Sequence, residues 1–337
     1  MVTWPRAFPA SGMSAVFKQT PEDFRVDESL DFEISGSGEH LYLFVEKRNL
    51  GTPQVADYLA RQFKVDSVAV GYAGMKDKFA VARQWFSVHT SDNIEPPGFP
   101  QPDMPGLRLL EATRHERKLR RGQVRTNAFT VLLKNFRGDG WADRLDLLAT
   151  NGVPNYFGPQ RFRGDNLQAA RAWLEKRRQR RISNFIKGLY RSVLRAFLFN
   201  EVVGLRVEEG NWDEPVEGDV LIAGKPSAPL WGRGRSQSSA AALLVEEAAL
   251  APHRSLCGSL EYAGVSQQRR AQVVFAESLL WEKSGDEILL SFGLPAGSYA
   301  TSLLREGFDL DQGVHAGEKL PVRQVEQGNL LERYGHF

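Results

Sequence analysis

The chain predicts an α+β protein, with a strand-rich beginning, a helix-rich middle and a late strand that needs a sheet to join. Three observations carry this. Residues 24–88 hold short apolar runs punctuated by turn residues. Residues 166–203 place apolar side chains at helical spacing instead. Strand texture then returns at Ile288 to Leu294. A helical insertion into one α+β domain explains this order better than two consecutive domains.

In chain order, Phe24-Arg25-Val26-Asp27 and Leu41 to Glu46 read as strands joined through Ser35-Gly36-Ser37-Gly38, which suggests an antiparallel pair. Thr52 as N-cap, Pro53 at the first helical position, and Val55, Leu59 and Phe63 at four-residue spacing predict a helix over 53–64. Ser67 to Ala73 and Ala80 to Val88 read as strands around the polar loop Gly74-Met75-Lys76-Asp77-Lys78. Prolines between residues 96 and 105 mark a turn or an exposed excursion, and Phe129 to Lys134 is a further strand. Trp141 to Thr150 reads as a helix closed by Gly152. Helices follow over Asn166 to Lys176 and Ser183 to Val203, the second with Phe185, Leu189, Val193 and Phe197 on one stripe. Residues 216–233 have strand-and-turn texture, and Ser238 to Ala249 is helical.

The chain has 337 residues, 42% of them hydrophobic, enough to build real cores. No apolar run is long enough to span a bilayer or serve as a signal peptide, so a cytoplasmic protein without membrane contact is expected. The single cysteine, Cys257, leaves no disulfide framework and no thiolate zinc site. A formal charge of +2 announces no polyanionic partner, but its distribution is uneven. Arg114, Arg117, Lys118, Arg120, Arg121 and Arg125 stand against one acid, Glu116; Lys176, Arg177, Arg178, Arg180 and Arg181 are nearly contiguous. Each cluster taken alone fits a solvated face, whereas two arginine-dominated clusters together point to phosphate contact.

Several chemistries are unsupported. Gly218 to Lys225 is one residue too long for a phosphate-binding loop of the Walker type, and Pro226 replaces its Ser/Thr. Gly232-Arg233-Gly234 lacks the third glycine of a dinucleotide fingerprint. The six histidines show no zinc-ligand spacing, and no serine sits in a Gly-x-Ser-x-Gly elbow. No cofactor and no metal is expected.

Lys76-Asp77-Lys78 sets one carboxylate between two ammonium groups. Alone, such a loop is an ordinary solvated turn; as a site, its cations would keep Asp77 ionised as nucleophile or base. In context, Gly74 to Lys78 with Ala80, Val81, Gln84 and Trp85 resembles the catalytic motif of the TruD family of tRNA pseudouridine synthases. Four more segments in the same order resemble that family. These are Thr20 to Phe24; Arg114 to Arg120 with Asn127 to Thr130; Gly152 to Gly158 with Gln160-Arg161-Phe162; and Leu294 to Ser302. The segment Arg191 to Glu201 is similar to the family as well.

The resemblance implies a pseudouridine-synthase fold, a curved mixed, mainly antiparallel sheet with helices, over residues 1–152 and 271–337. A mostly helical, family-specific insertion is implied over 153–270. It implies Asp77 as the catalytic nucleophile, with Phe24, Asn127, Phe129 and Tyr299 at the target nucleotide and Lys18, Glu22 and Lys76 in support. Arg114, Arg117, Lys118, Arg120, Arg121, Arg177 and Arg178 are the expected contacts to RNA backbone. The implied substrate is tRNA, at uridine 13 of the D arm, with the base flipped towards Asp77 and no obligate protein partner. Arg163 between Phe162 and Gly164 departs from the family pattern. The alternatives are a synthase for another RNA, or an RNA-binding or chaperone-like protein of the same fold without chemistry.

Overall fold

Alternation of apolar and polar residues builds the first half of the molecule as strands, and the computed structural model describes residues 3–10, 12–90, 101–162, 165–175 and 182–312. That half runs β1 (Ser14–Phe17), β2 (Phe24–Leu30), β3 (His40–Arg48), α1 (Thr52–Gln62), β4 (Val70–Tyr72), β5 (Val81–His89), β6 (Leu107–His115) and β7 (Val124–Arg137). Next come α2 (Trp141–Asn151), β8 (Val153–Pro154), α3 (Asn166–Glu175), α4 (Asn184–Glu208), β9 (Leu221–Ile222) and β10 (Lys225–Leu230). They lead to α5 (Ala240–Leu250), α6 (Arg254–Tyr262), β11 (Gln268–Ala271) and β12 (Val273–Val274). The chain closes with β13 (Glu277–Ser284), β14 (Glu287–Pro295), α7 (Ala300–Gly307) and β15 (Asp309–Gln312).

Two compact units result. The sheet unit comprises residues 14–137, 277–297 and the chain from Leu310; the helical unit comprises residues 1–13, 138–276 and 298–309. The sheet is mixed and mainly antiparallel, in the order β13-β14-β7-β2-β5-β3-β6, with β1 joining β7 and β15, and β4 joining β5. The strands β2 and β5 run parallel, Arg25 opposite Val81. This is the α+β architecture the sequence predicts.

One expectation needs correcting. The strands beginning at Phe24 and His40 are not partners, because β5 lies between them, parallel to β2 and antiparallel to β3. The Gly/Ser turn docks on the end of β6 instead of closing a hairpin. His115 Nδ1 accepts the Ser35 N–H at 3.2 Å. At Gly38, φ is +122° and a Cβ would meet the His115 carbonyl at 2.5 Å, so only glycine fits there.

The strand β5 buries side chains on both of its faces. Phe86 and Val88 join Leu41, Leu43, Val45, Val55 and Leu59 under α1, while Trp85 joins Tyr42, Leu119 and Val124 on the other side. Each such side chain contributes about 1.5–3 kcal/mol on burial.

In the helical unit α4 begins where Ser183 Oγ accepts the Ile186 N–H at 3.3 Å, and it buries Val193, Leu194, Phe197, Leu198 and Val202. Arg206 on α4 is buried and binds both carboxylate oxygens of Asp219 at 3.1 Å. The helix α2 ends at Gly152 with φ +70°, as the sequence predicts. The stretch Gly218 to Lys225 is the turn that leads β9 into β10, with Gly218 pressed against the Ser239 backbone.

Candidate active site

Asp77 sits between β4 and β5, on a loop pinned from three sides. Thr52 Oγ1 accepts the Lys76 N–H at 3.0 Å and donates to Gln84 Oε1 at 2.9 Å. Gln84 Nε2 reaches the Gly74 carbonyl at 3.4 Å. Thr52 therefore does not serve as the N-cap of α1: the helix starts one residue earlier, with Gly51 as cap at φ −76°, ψ 147°. Its hydroxyl is recruited by the loop.

Three ammonium groups surround this loop, and each has acceptors. Lys18 Nζ binds Asp77 Oδ2 at 2.5 Å, with the lysine side chain 8% and the aspartate 27% exposed. A pair this sheltered is screened little by salt, and the cation favours the carboxylate anion. Lys47 Nζ donates to the carbonyls of Asp77 at 2.8 Å and Leu50 at 2.6 Å. Burial pushes the Lys47 ammonium down to about 8, against the raising effect of Asp77. Lys76 Nζ binds Glu28 Oε2 at 2.6 Å and Asn127 Oδ1 at 2.5 Å. The ammonium paired with the Asp77 carboxylate is thus Lys18, whereas Lys76, its sequence neighbour, is turned to Glu28 and Asn127.

Local structure explains how Lys18 arrives. After β1 the backbone takes the left-handed form at Lys18, φ +57°, which costs on the order of 1–3 kcal/mol in a non-glycine residue. The chain then closes a 3-10 turn over Pro21–Asp23, in which Asp23 Oδ2 accepts the Thr20 N–H at 2.7 Å and Asp23 Oδ1 pairs with Lys134 at 2.8 Å. Phe24 follows, and Lys18 Nζ stands 3.8 Å from its ring centroid, a cation–π contact worth about 0.5–2 kcal/mol.

Phe24, Phe129 and Phe292 form an aromatic row across β2, β7 and β14, with centroids 5.7 and 5.4 Å apart. Phe24 and Phe129 are core residues whose row backs the lysine. Glu22 pairs with exposed Arg48, which lowers the Glu22 carboxyl. Tyr299 belongs to the helical unit, immediately before α7, with its ring edge-on to Phe157 at 5.9 Å.

The basic stretch is a loop from Glu116 to Gln123 in which Arg117, Arg120 and Arg121 are exposed while Leu119 is buried as an anchor. Leu119 N–H donates to Ser87 Oγ at 2.9 Å, and Gly122 N–H to the Ala73 carbonyl at 2.9 Å, beside the start of the Asp77 loop. A Cβ at Gly71 would stand 2.3 Å from the Leu119 carbonyl, so the two loops touch backbone to backbone. Arg114 donates to the Gly38 carbonyl at 3.0 Å, Lys118 to the Val68 carbonyl, and Arg121 to Tyr72 Oη at 2.9 Å. Arg177 and Arg178 lie outside the described residues.

Lys47, Glu28 and Gln84 were not among the expected site residues, though their strands carry the signal. Leu41, Leu43, Val45 and Lys47 share one face of β3; Phe24, Val26 and Glu28 share one of β2; Ala82, Gln84 and Phe86 share one of β5. A charged or amide side chain in phase with a buried apolar row is where a site residue belongs.

Comparison with known proteins gives the family. The family model of tRNA pseudouridine synthase D (TruD) matches residues 7–169. The tRNA pseudouridine synthase D of Cellvibrio japonicus is 41% identical over 90% of this chain and 92% of its own. Those of Nitrosococcus oceani and Pseudomonas aeruginosa are 38% and 40% identical over 87% and 91% of the chain, and over 90% and 94% of their own. A solved structure from Methanosarcina mazei, described as a candidate TruD, superposes with a TM-score of 0.63 over 90% of this chain and 95% of its own; at 21% identity it speaks for the fold alone. Ordered motifs, sheet topology and near-complete coverage by relatives of about two-fifths identity converge: the chain belongs to the TruD family of tRNA pseudouridine synthases.

Proposed function

We propose that this protein isomerises uridine 13 in the D arm of tRNA to pseudouridine, with Asp77 as nucleophile on a flipped-out base. The observation that carries the reading is the sheltered Lys18–Asp77 pair on a loop whose backbone Thr52, Gln84 and Lys47 hold in place. Isomerisation breaks the bond from N1 to C1′, turns the uracil, joins C5 to C1′ and releases the C5 proton while N1 takes one up. The overall change needs no redox partner. Attack on C1′, addition to C6 and abstraction of the 2′ proton all begin with an anionic carboxylate at the ribose and uracil, which Lys18 favours.

Lys76 and Asn127 form one hydrogen-bonded unit that fixes the amide's orientation, so that its remaining polar atoms can read the uracil edge. Tyr299 supplies an aromatic face for the displaced base, and Arg114, Arg117, Lys118, Arg120, Arg121, Arg177 and Arg178 hold the RNA backbone. Residues 153–270 form the family-specific insertion, and the protein works in the cytoplasm, where tRNA is modified.

The test is site-resolved mapping of pseudouridine in tRNA from a deletion strain, with and without the restored gene, and in a transcript treated with purified protein. Pseudouridine at position 13 is expected to vanish and return with the gene. A modification that persists at 13 in the deletion strain, or a purified protein that modifies another RNA only, refutes the assignment.

A further inference from the structure

Two inward-facing arginines of the helical unit are neutralised by carboxylates. Arg206 has Asp219, and Arg269 has Glu246 at 2.7 Å. Its other inward-facing guanidiniums break this pattern most clearly at Arg161 and Arg270. Both stand over the ring of Phe157, at 5.8 and 4.3 Å from its centroid, and among the described residues no carboxylate lies within ion-pair distance of either. Arg161 donates to Ser192 Oγ, and Arg270 to the Asn155 side-chain and backbone oxygens at 2.5 and 3.2 Å. The Nε of each is buried without a partner.

Two like charges set against one ring with only neutral acceptors among the described residues carry a cost that a bound anion would offset. Burial pushes the Arg270 guanidinium down to about 10, Tyr299 opposes that push and Arg161 adds to it, which still leaves Arg270 charged at neutral pH. The fork geometry of guanidinium matches phosphate oxygens, and with the ring on its face each guanidinium still holds a donor, Nε, that no described residue takes. The ring under the pair also meets Tyr299 edge-on, and the reading above sets Tyr299 at the target nucleotide.

We propose that Arg161 and Arg270, stacked on Phe157, form a receptor for a phosphodiester of the RNA strand that carries the isomerised nucleotide. The proposal rests on the function proposed above, and it adds two arginines to those expected at the RNA backbone from the basic stretches of the sequence.

The experiment measures binding of unmodified tRNA transcript to the full-length protein between 50 and 200 mM salt, for wild type, Arg161→Gln, Arg270→Gln and Arg161→Lys. Each neutralising change should flatten the slope of log affinity against log salt by roughly 0.7–0.9, equivalent to about threefold less weakening of affinity across that range. KM should rise more than kcat falls, and Arg161→Lys should keep the wild-type slope. A slope unchanged in both Gln variants overturns the proposal, as does a lowered melting temperature with no change in slope. Should Arg270→Gln fail to fold, Arg161→Gln decides alone. Tritium release from C5 by the wild type separates the two claims: an inactive wild type sinks the functional reading, whereas the salt slope is read on binding without turnover.

Discussion

The Asp77 loop and the Phe157 ring are both crowded with cations, yet they treat them in opposite ways. Around Asp77, Lys18, Lys47 and Lys76 each find acceptors within the sheet unit. Around Phe157, Arg161 and Arg270 meet hydroxyl, amide and carbonyl partners and no carboxylate among the described residues. Charge that is balanced inside the fold holds a reactive group still; charge left unbalanced waits for a counter-ion. Lysine suits the first task as a compact point charge and arginine the second as a planar fork.

Replacing the carboxylate breaks the comparison at its root. Asp77→Asn preserves volume and leaves Lys18 facing an amide; tritium release from C5 of uridine should fall to background while tRNA affinity and melting temperature stay near wild type. Substantial turnover by the folded variant would falsify the central assignment. Removing the partner is the next largest effect. Lys18→Met should lower kcat by roughly a hundredfold with KM nearly unchanged, since it strips electrostatic support from the reacting anion. A Lys18→Met variant with unaltered kcat would make the pair a structural bridge.

Exposed cations test a third condition, charge held in water. Simultaneous alanine substitution of Arg117, Arg120 and Arg121 should weaken tRNA binding and flatten its salt slope by roughly 0.7–0.9 for every phosphate no longer held, without slowing turnover at saturation. Identical binding curves would make that loop a solvated face.

The smallest effect is a pH dependence at Lys47, whose folded value of about 8 lies below the ordinary lysine value of 10.5. Between these limits the unfolded chain binds more protons than the folded one, so stability rises with pH there, and the cost of the buried charge is complete below the lower limit. Wild type should therefore gain stability relative to Lys47→Met as pH rises through that window, by at most about 1.4 kcal/mol per unit. Denaturant unfolding of both proteins across the window checks this; a difference that is flat with pH, or that shrinks, removes the buried ammonium from the account.

Much of the molecule was legible because strand period and helix period are local. The strands around the Asp77 loop, the stop of α2 at Gly152 and the start of α4 at Ser183 follow from residues a few positions apart. The pairing of β2 with β5 does not, since which strands meet is decided by long-range packing that no local pattern encodes. Thr52 reads equally well as a helix cap and as a loop anchor until the strand bearing Gln84 comes alongside. In the site, Asp77 and Lys76 stood out as a charged triplet, while Lys47 and Glu28 were hidden in plain phase with Val45 and Val26. The group around Phe157 draws on residues 155–161, 270 and 299, so no window of sequence holds it.

Gly71 carries a mechanical consequence. With the Leu119 carbonyl where its side chain would be, the chain entering the Asp77 loop and the arginine-bearing loop share a wall with no slack, riveted again by the hydrogen bond from Gly122 to Ala73. Neither can slide without dragging the other. An alanine at Gly71, six residues before the carboxylate, would pry apart two surfaces that the fold registers by direct touch.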